Sequence, residues 1–517
     1  MQDHDAVVVV GAGIAGLTAA ALLAKEGVPV QLLEAHHQSG GCAGTFSRGP
    51  YTFDVGATQV AGLEPGGSHQ RLLAHFGLAV PQATPLNPAC VVDLADGRPP
   101  VRIWRDPERW AAERERQFPG SGRFWQLGAA LHRANWAFAG RDPVMPPRTL
   151  WDLGQLLPAL RPANLASGLL AGATVADLLA LTGCGGDPRL RRFLDLQLRL
   201  YSQEPADRTA ALYGATVLTM GQEPLGLWHL AGSMQVLSTQ LEQALATAGG
   251  QLQLRHRVNG LERSGNHWLV RGERLVLGRR REAFAMAAAD VVLALPVQSL
   301  PELLGPQLPA GYRQRLASLG DPSGALVFYG AVDREALPAD CPAHLQLDWA
   351  EPGALFVSVS REGDGRAPAG QATVIASVFT PARPWFVLEP VAYDQAKATV
   401  LANMQRGLQQ LLGVAPEQWR HAELATPRGF ARWTARPFGF VGGLGQHPDR
   451  FGPFGLASRT PLPGLWLCGD SIHPGEGTAA VGLSALMACR QLLAARQTIL
   501  TLPHGNHPAD KPMPGLS

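Results

Sequence analysis

The chain has 517 residues, more than one compact core accommodates, and should fold as two or three domains. Hydrophobic residues at 46% and charged residues at only 17% exclude a disordered chain. A net charge of +2 without a basic run argues against a nucleic-acid partner. Only Lys25, Lys397 and Lys511 are lysines, so arginine carries almost all of the positive charge. The six cysteines (Cys42, Cys90, Cys184, Cys341, Cys468, Cys489) are widely spaced. They signal neither a disulfide framework nor a zinc site, and fit a reducing compartment.

Residues 6–24 carry no charge and match the length of a membrane span. Asp3 and Asp5 precede them, no basic leader is present, and three glycines interrupt the run. A buried strand followed by a helix is the expected structure, not a signal peptide or an anchor. Val7–Val10 is β-branched, as in a strand of a parallel sheet buried on both faces. Gly11-Ala12-Gly13-Ile14-Ala15-Gly16 then opens the helix, and residues 28–33 form a second strand ending on Glu34. In such a fingerprint one glycine makes the tight turn and the next lets the backbone approach a pyrophosphate. The third allows close helix packing. The helix N-terminus offers N–H groups to phosphates, and the acid after the second strand suits ribose hydroxyls.

A second glycine cluster, Ser39-Gly40-Gly41-Cys42-Ala43-Gly44-Thr45, follows the acid, and then Phe53-Asp54-Val55-Gly56-Ala57-Thr58. A nicotinamide enzyme does not need this cluster; the longer contact of FAD with the backbone does. His36-His37 has no partner at metal spacing and is expected to be solvated surface. Residues 150–186 hold only three charges, Asp152, Arg161 and Asp177, but Pro158 and Pro162 prevent one spanning helix. They form either packed helices or a face dipping into lipid. Trp125, Trp136, Phe138, Trp151, Trp228, Trp385, Phe386 and Trp433 suit the wall of an apolar site, although each alone also suits a core.

Towards the end, residues 465–468 form a short strand leading into Gly469-Asp470, which places a carboxylate at the mouth of the sheet. His473-Pro474-Gly475-Glu476-Gly477-Thr478 leads into an alanine-rich helix, whose N-terminus at Gly477 and Thr478 would stabilise negative charge on a reduced flavin. His473 is expected to be structural. Residues 501–517, with four prolines, should be an irregular tail.

Val9-Val10-Gly11-Ala12-Gly13-Ile14-Ala15-Gly16, Glu34-Ala35, Gly40-Gly41 and Gly469-Asp470 together resemble the flavin-dependent amine oxidase and phytoene desaturase superfamily. The resemblance is greatest to its carotenoid desaturase and isomerase branch, and within it to cyanobacterial C-3′,4′ desaturases. The stretches carrying it are 53–59, 434–443 and 468–474. It implies an α/β fold: a discontinuous, Rossmann-like FAD domain with a doubly wound parallel sheet, carrying an inserted α+β substrate domain. The FAD domain would comprise residues 1–75, 225–300 and 460–500; the substrate domain, facing the membrane, would comprise 76–224 and 301–459. The family's adenine contact falls on Val258, and the strand 290–296 re-enters the sheet.

The implied activity is desaturation of a carotenoid, with hydride passing to flavin N5 and electrons passing on to a quinone or oxygen. A redox-neutral cis–trans isomerase is the alternative, followed by an amine oxidase and a flavin-free lipid escort. Amine oxidases of this fold typically use a mid-chain lysine, and none occurs here between Lys25 and Lys397. The implied location is peripheral, on the cytoplasmic side of a thylakoid or plasma membrane. The resemblance leaves the catalytic residues unassigned.

Overall fold

The computed structural model describes residues 5–276 and 280–503. Its first sheet is parallel throughout, with strand order Leu465–Leu467, Asp290–Leu293, Val7–Val10, Val30–Leu33, Gln251–Gln253. Val7 sits beside both Asp290 and Val30, so the N-terminal strand is central. Alternate side chains of that strand enter different cores. Val7 and Val9 pack against the helices Ile14–Lys25, Gln235–Thr247 and Thr478–Ala495. Val8 and Val10 face an antiparallel meander of three strands, His256–Ser264, His267–Val276 and Arg280–Ala288. Burial on both faces explains a strand of four valines with no polar position.

The charge-free stretch near the N-terminus is therefore a strand and a helix, both internal. Thr478–Ala495 is long and apolar enough to cross a membrane by composition. It packs instead against Ile14–Lys25, and most of its length is buried. Residues 504–517, the larger part of the expected irregular tail, lie outside the described residues.

The second sheet has seven strands in the order His421–Ala425, Gly324–Asp333, Gln371–Thr380, Leu355–Val359, His344–Leu347, Cys90–Asp93, Val101–Ile103. One face is closed by Pro390–Leu412 through Met404, Leu408 and Leu412. Ala325, Val327 and Tyr329 point to the other side. A helical layer containing Gly122–Ala139, Pro188–Ser202 and Ala211–Thr219 adjoins the 90–103 edge.

A buried ionic network joins the loop between Leu355–Val359 and Gln371–Thr380 to the strands Tyr51–Asp54 and Trp228–Leu230 and to the start of the helix Gln235–Thr247. Arg366 donates to Asp54 at 3.1 Å and to Asp364 at 3.1 Å, and also to the Leu230 carbonyl at 2.8 Å. Asp364 in turn meets His229 at 2.8 Å, and Asp54 accepts the Met234 N–H at 2.8 Å. Arg366→Met would leave two buried carboxylates without their cation. The expected loss is about 3–5 kcal/mol, read as a fall in the denaturant midpoint. A change below about 1 kcal/mol, the scale of exposed pairs, would show that the network is not structural.

Candidate active site

A cavity of about 1620 Å³ runs between the C-terminal ends of the first sheet and the inner face of the second. Ligand pockets for one small molecule are commonly about 300–1,000 Å³, so this one has room for more than one occupant. Its first end is built by the glycine turn. Gly11 has φ +96°, and a Cβ there would meet the Ala294 carbonyl at 3.0 Å. Gly13 caps Ile14–Lys25, and a Cβ on it would enter open space. Gly13, Ile14 and Ala15 line the cavity, so the free N–H groups of this helix turn stand at its wall.

Glu34 follows the second strand and closes the turn. Its Oε2 accepts the Ala12 N–H at 2.7 Å, and its Oε1 accepts the His36 N–H at 2.8 Å. Burial pushes this carboxyl up, against the lowering effect of those N–H groups. Ala35 continues the same wall. Gly40 bridges back to Gly13 through its N–H to the Ala12 carbonyl, and leads into the short turn Gly41–Ala43. Gly41, Cys42 and Ala43 line the cavity, as does Gly56, packed near the Cys42 carbonyl.

The last strand delivers Gly469 and Asp470 to the same space. Asp470 pairs with Arg436 at 2.7 Å, and the same guanidinium donates to the Gly442 carbonyl at 2.7 Å. Gly477 caps Thr478–Ala495, and Thr478 Oγ1 meets His69 Nε2 at 3.0 Å. Burial pushes His69 and His473 down to about 4, so both rings are neutral at physiological pH. Val258 lies at a bulge of the meander and lines the cavity beside Arg257.

Of the expected site residues, Ala12 and Gly16 do not face the cavity. Ala12 is fully buried, with its N–H committed to Glu34. Gly16 supports the turn from behind: a Cβ there would lie 1.8 Å from the Gly11 carbonyl oxygen. His37 is exposed, as expected for solvated surface, whereas His36 is half-buried; both line the cavity and meet Trp433 with centroids 5.1 Å (His36) and 6.1 Å (His37) apart. Trp136, Phe138 and Trp433 line the cavity, whereas Trp125, Trp151, Trp228, Trp385 and Phe386 pack elsewhere in the cores. Phe356, Phe379 and Phe430 are among the aromatic walls the sequence did not disclose. Arg436, Gln203 and Glu476 were also missed. Arg436 and Glu476 stand within stretches that carry the resemblance or the C-terminal helix signal, yet only the fold brings Gln203 to them.

Two helix N-termini, backbone approaches cleared of Cβ atoms and an acid beyond the second strand are the features of a dinucleotide-binding oxidoreductase. The family model for flavin containing amine oxidoreductase matches residues 14–493, and the chain belongs to that family. It is an FAD-dependent oxidoreductase. It is 26% identical to a chloroplastic prolycopene isomerase of Arabidopsis thaliana, over 95% of this chain and 83% of the relative. It is also 26% identical to a hydroxyneurosporene desaturase of Cereibacter sphaeroides, over 94% of this chain and 97% of that protein. Putrescine oxidase with bound putrescine shares the fold, with a TM-score of 0.61, 18% identity, and coverage of 95% of this chain and 99% of its own.

Two glycine substitutions separate cavity from packing. Gly13→Val places a side chain in the open space of the turn and should give folded, colourless protein, read as lost flavin absorbance with the melting temperature of flavin-stripped wild type. Gly16→Val should instead lower the melting temperature, because its Cβ has no room. Yellow, stable protein from either variant would count against this assignment.

Proposed function

We propose that the protein is a carotenoid desaturase that introduces a C=C bond, 3′,4′ in the first instance, in a substrate drawn from a membrane surface. The observation that carries this reading is the apolar continuation of the cavity beyond its nucleotide-like end. Gly13, Ile14, Gly41, Cys42, Gly56, Asp470 and Thr478 would hold FAD, with Glu34 placed for its ribose and Val258 for its adenine. Bound FAD supplies a two-electron acceptor, and a quinone or oxygen would take the electrons onward. The remaining wall, including Trp136, Phe138, Phe356 and Tyr213, offers flat apolar surfaces to a polyene and excludes water.

The same wall supports the membrane part of the reading. In residues 150–171, Leu156, Leu160, Asn164, Ser167 and Ala171 face the cavity. Leu150, Leu157, Leu165 and Leu169 point outward and are 62–88% exposed. A single exposed leucine needs no explanation, but four within twenty residues form a patch suited to lipid. One segment thus faces the bilayer on one side and the substrate space on the other. Replacing these four leucines with serine should weaken flotation with phospholipid vesicles while flavin absorbance is retained. Unchanged flotation would sink the lipid face.

Isomerisation is the second reading, favoured by the match to prolycopene isomerase along nearly the whole chain. The two readings separate on one assay: carotenoid-loaded vesicles with oxidised flavin and a quinone, or with reduced flavin and no oxygen. Desaturation gives loss of two hydrogens and a red-shifted polyene, in the oxidising arm alone. Unchanged mass with a changed cis/trans pattern in the reducing arm would establish the isomerase instead.

A further inference from the structure

The cavity has several carboxyl groups, and all but one of the buried ones are committed. Glu34 has both oxygens on backbone N–H groups, and Asp470 is paired with Arg436. Glu423 is bound by Arg48, and Glu302 is exposed. Glu476 differs from these. It lines the cavity from the loop before Thr478–Ala495, and its hydrogen-bond partners are neutral: its Oε2 accepts the amide of Gln203 at 2.7 Å, and the Gly443 backbone N–H also faces the carboxyl. Among the described residues no side chain or backbone group is hydrogen-bonded to its buried Oε1. The terminal torsion of a glutamate is broad and two-fold, so either oxygen can be turned to the cavity.

Space is kept for this side chain. A Cβ on Gly442 would lie 2.2 Å from Glu476 Oε2 and 2.3 Å from Gln203 Nε2. Gln203 is fixed in turn, donating to the Gly443 carbonyl at 3.0 Å and accepting the Ser323 N–H at 3.0 Å. The charged and titratable groups facing Glu476 are Asp470 on its own loop, Arg436 beyond the helix Pro427–Thr434, and Tyr213 on Ala211–Thr219.

We propose that Glu476 is the proton acceptor of the desaturation, a role that rests on the desaturase reading above. Bound oxidised FAD would supply the acceptor for one hydrogen and its electron pair from the polyene. The C–H bond on the neighbouring carbon then breaks, its electron pair becomes the new C=C bond, and the proton forms an O–H bond on the Glu476 carboxylate. A carboxylate at this wall also stabilises the positive charge that develops along the polyene. Burial above all, and the negative charge of Asp470, push this carboxyl up to about 8, against the hydrogen bonds from Gln203 and the Gly443 backbone and against Arg436. The raised value makes the carboxylate a stronger base. The reactive, ionised form grows tenfold per pH unit until pH approaches that value, and then levels.

The test uses FAD-loaded protein with carotenoid-containing vesicles and a quinone, at pH values from about 6 to 9.5. Wild-type turnover should rise and level near pH 8. Glu476→Gln, which keeps a hydrogen bond to Gln203, should retain flavin absorbance and lose roughly 10²–10⁴-fold in turnover. Glu476→Asp should recover part of it. Infrared titration, which needs no turnover, should show a protonated-carboxyl band that disappears near pH 8 and is absent from Glu476→Gln. Wild-type turnover in Glu476→Gln, or a missing band with desaturation intact, overturns Glu476 alone. A wild type that leaves carotenoid mass unchanged overturns the desaturase reading and this step with it, whatever the band does.

Discussion

The arrangement of this molecule depends on a guanidinium held between two carboxylates out of water. Arg366, Asp54 and Asp364 are each buried; Asp364 and Arg366 share one loop, and Asp54 comes from a segment some three hundred residues away. Such a group is costly unless its charges are met by hydrogen-bonding partners, and here His229 Nε2, the Leu230 carbonyl and the Met234 N–H add to the ion pairs. The network therefore tolerates little sliding between the hairpin Thr45–Arg48/Tyr51–Asp54, the helix Gln235–Thr247 and the second sheet. The hairpin and the second sheet also line the cavity. The network's own residues stand outside the cavity lining, so they hold these walls from behind with narrow geometric tolerance, whereas apolar surfaces alone would slide past one another more freely.

That joint also explains how an apolar cavity of this size persists. Each wall belongs to a unit with its own core: helices on the first sheet, Pro390–Leu412 behind the second, and the helical layer beside its edge. The space between is not a defect in one core. It is the seam between several, and seams of this kind are where ligand sites concentrate.

What could be read from the sequence divides along the same lines. Gly11 to Gly16 and Glu34 were legible because turn, helix and acid are adjacent in the chain, so local stereochemistry dictates their geometry. The same holds for Gly40 and Gly41, and for Gly469 with Asp470. Arg436 carries no such signal, because its partner Asp470 is thirty-four residues away and only the closed fold aligns them. Gln203 is an unremarked amide at a helix end until Glu476 and Gly443 arrive from the far C-terminal part. The tryptophans teach the same lesson. Indole rings mark apolar surroundings, but Trp125 and Trp136 lie on one helix and only Trp136 reaches the cavity.

The strand order has a consequence for how this molecule comes into being. Asp290–Leu293 lies between the N-terminal strand and Leu465–Leu467, so one of its edges is completed by a segment near the end of the chain. At about 5–20 residues per second, synthesis of the roughly 170 residues between these neighbours takes on the order of ten seconds or more. Throughout that interval a nascent, β-branched edge waits without its partner, and the long helix that covers the same core has not left the ribosome. Contacts of such sequence separation are slow to form and exposed to aggregation. The chain's dependence on protective chaperones during translation should therefore be concentrated in that window, before the last strand docks.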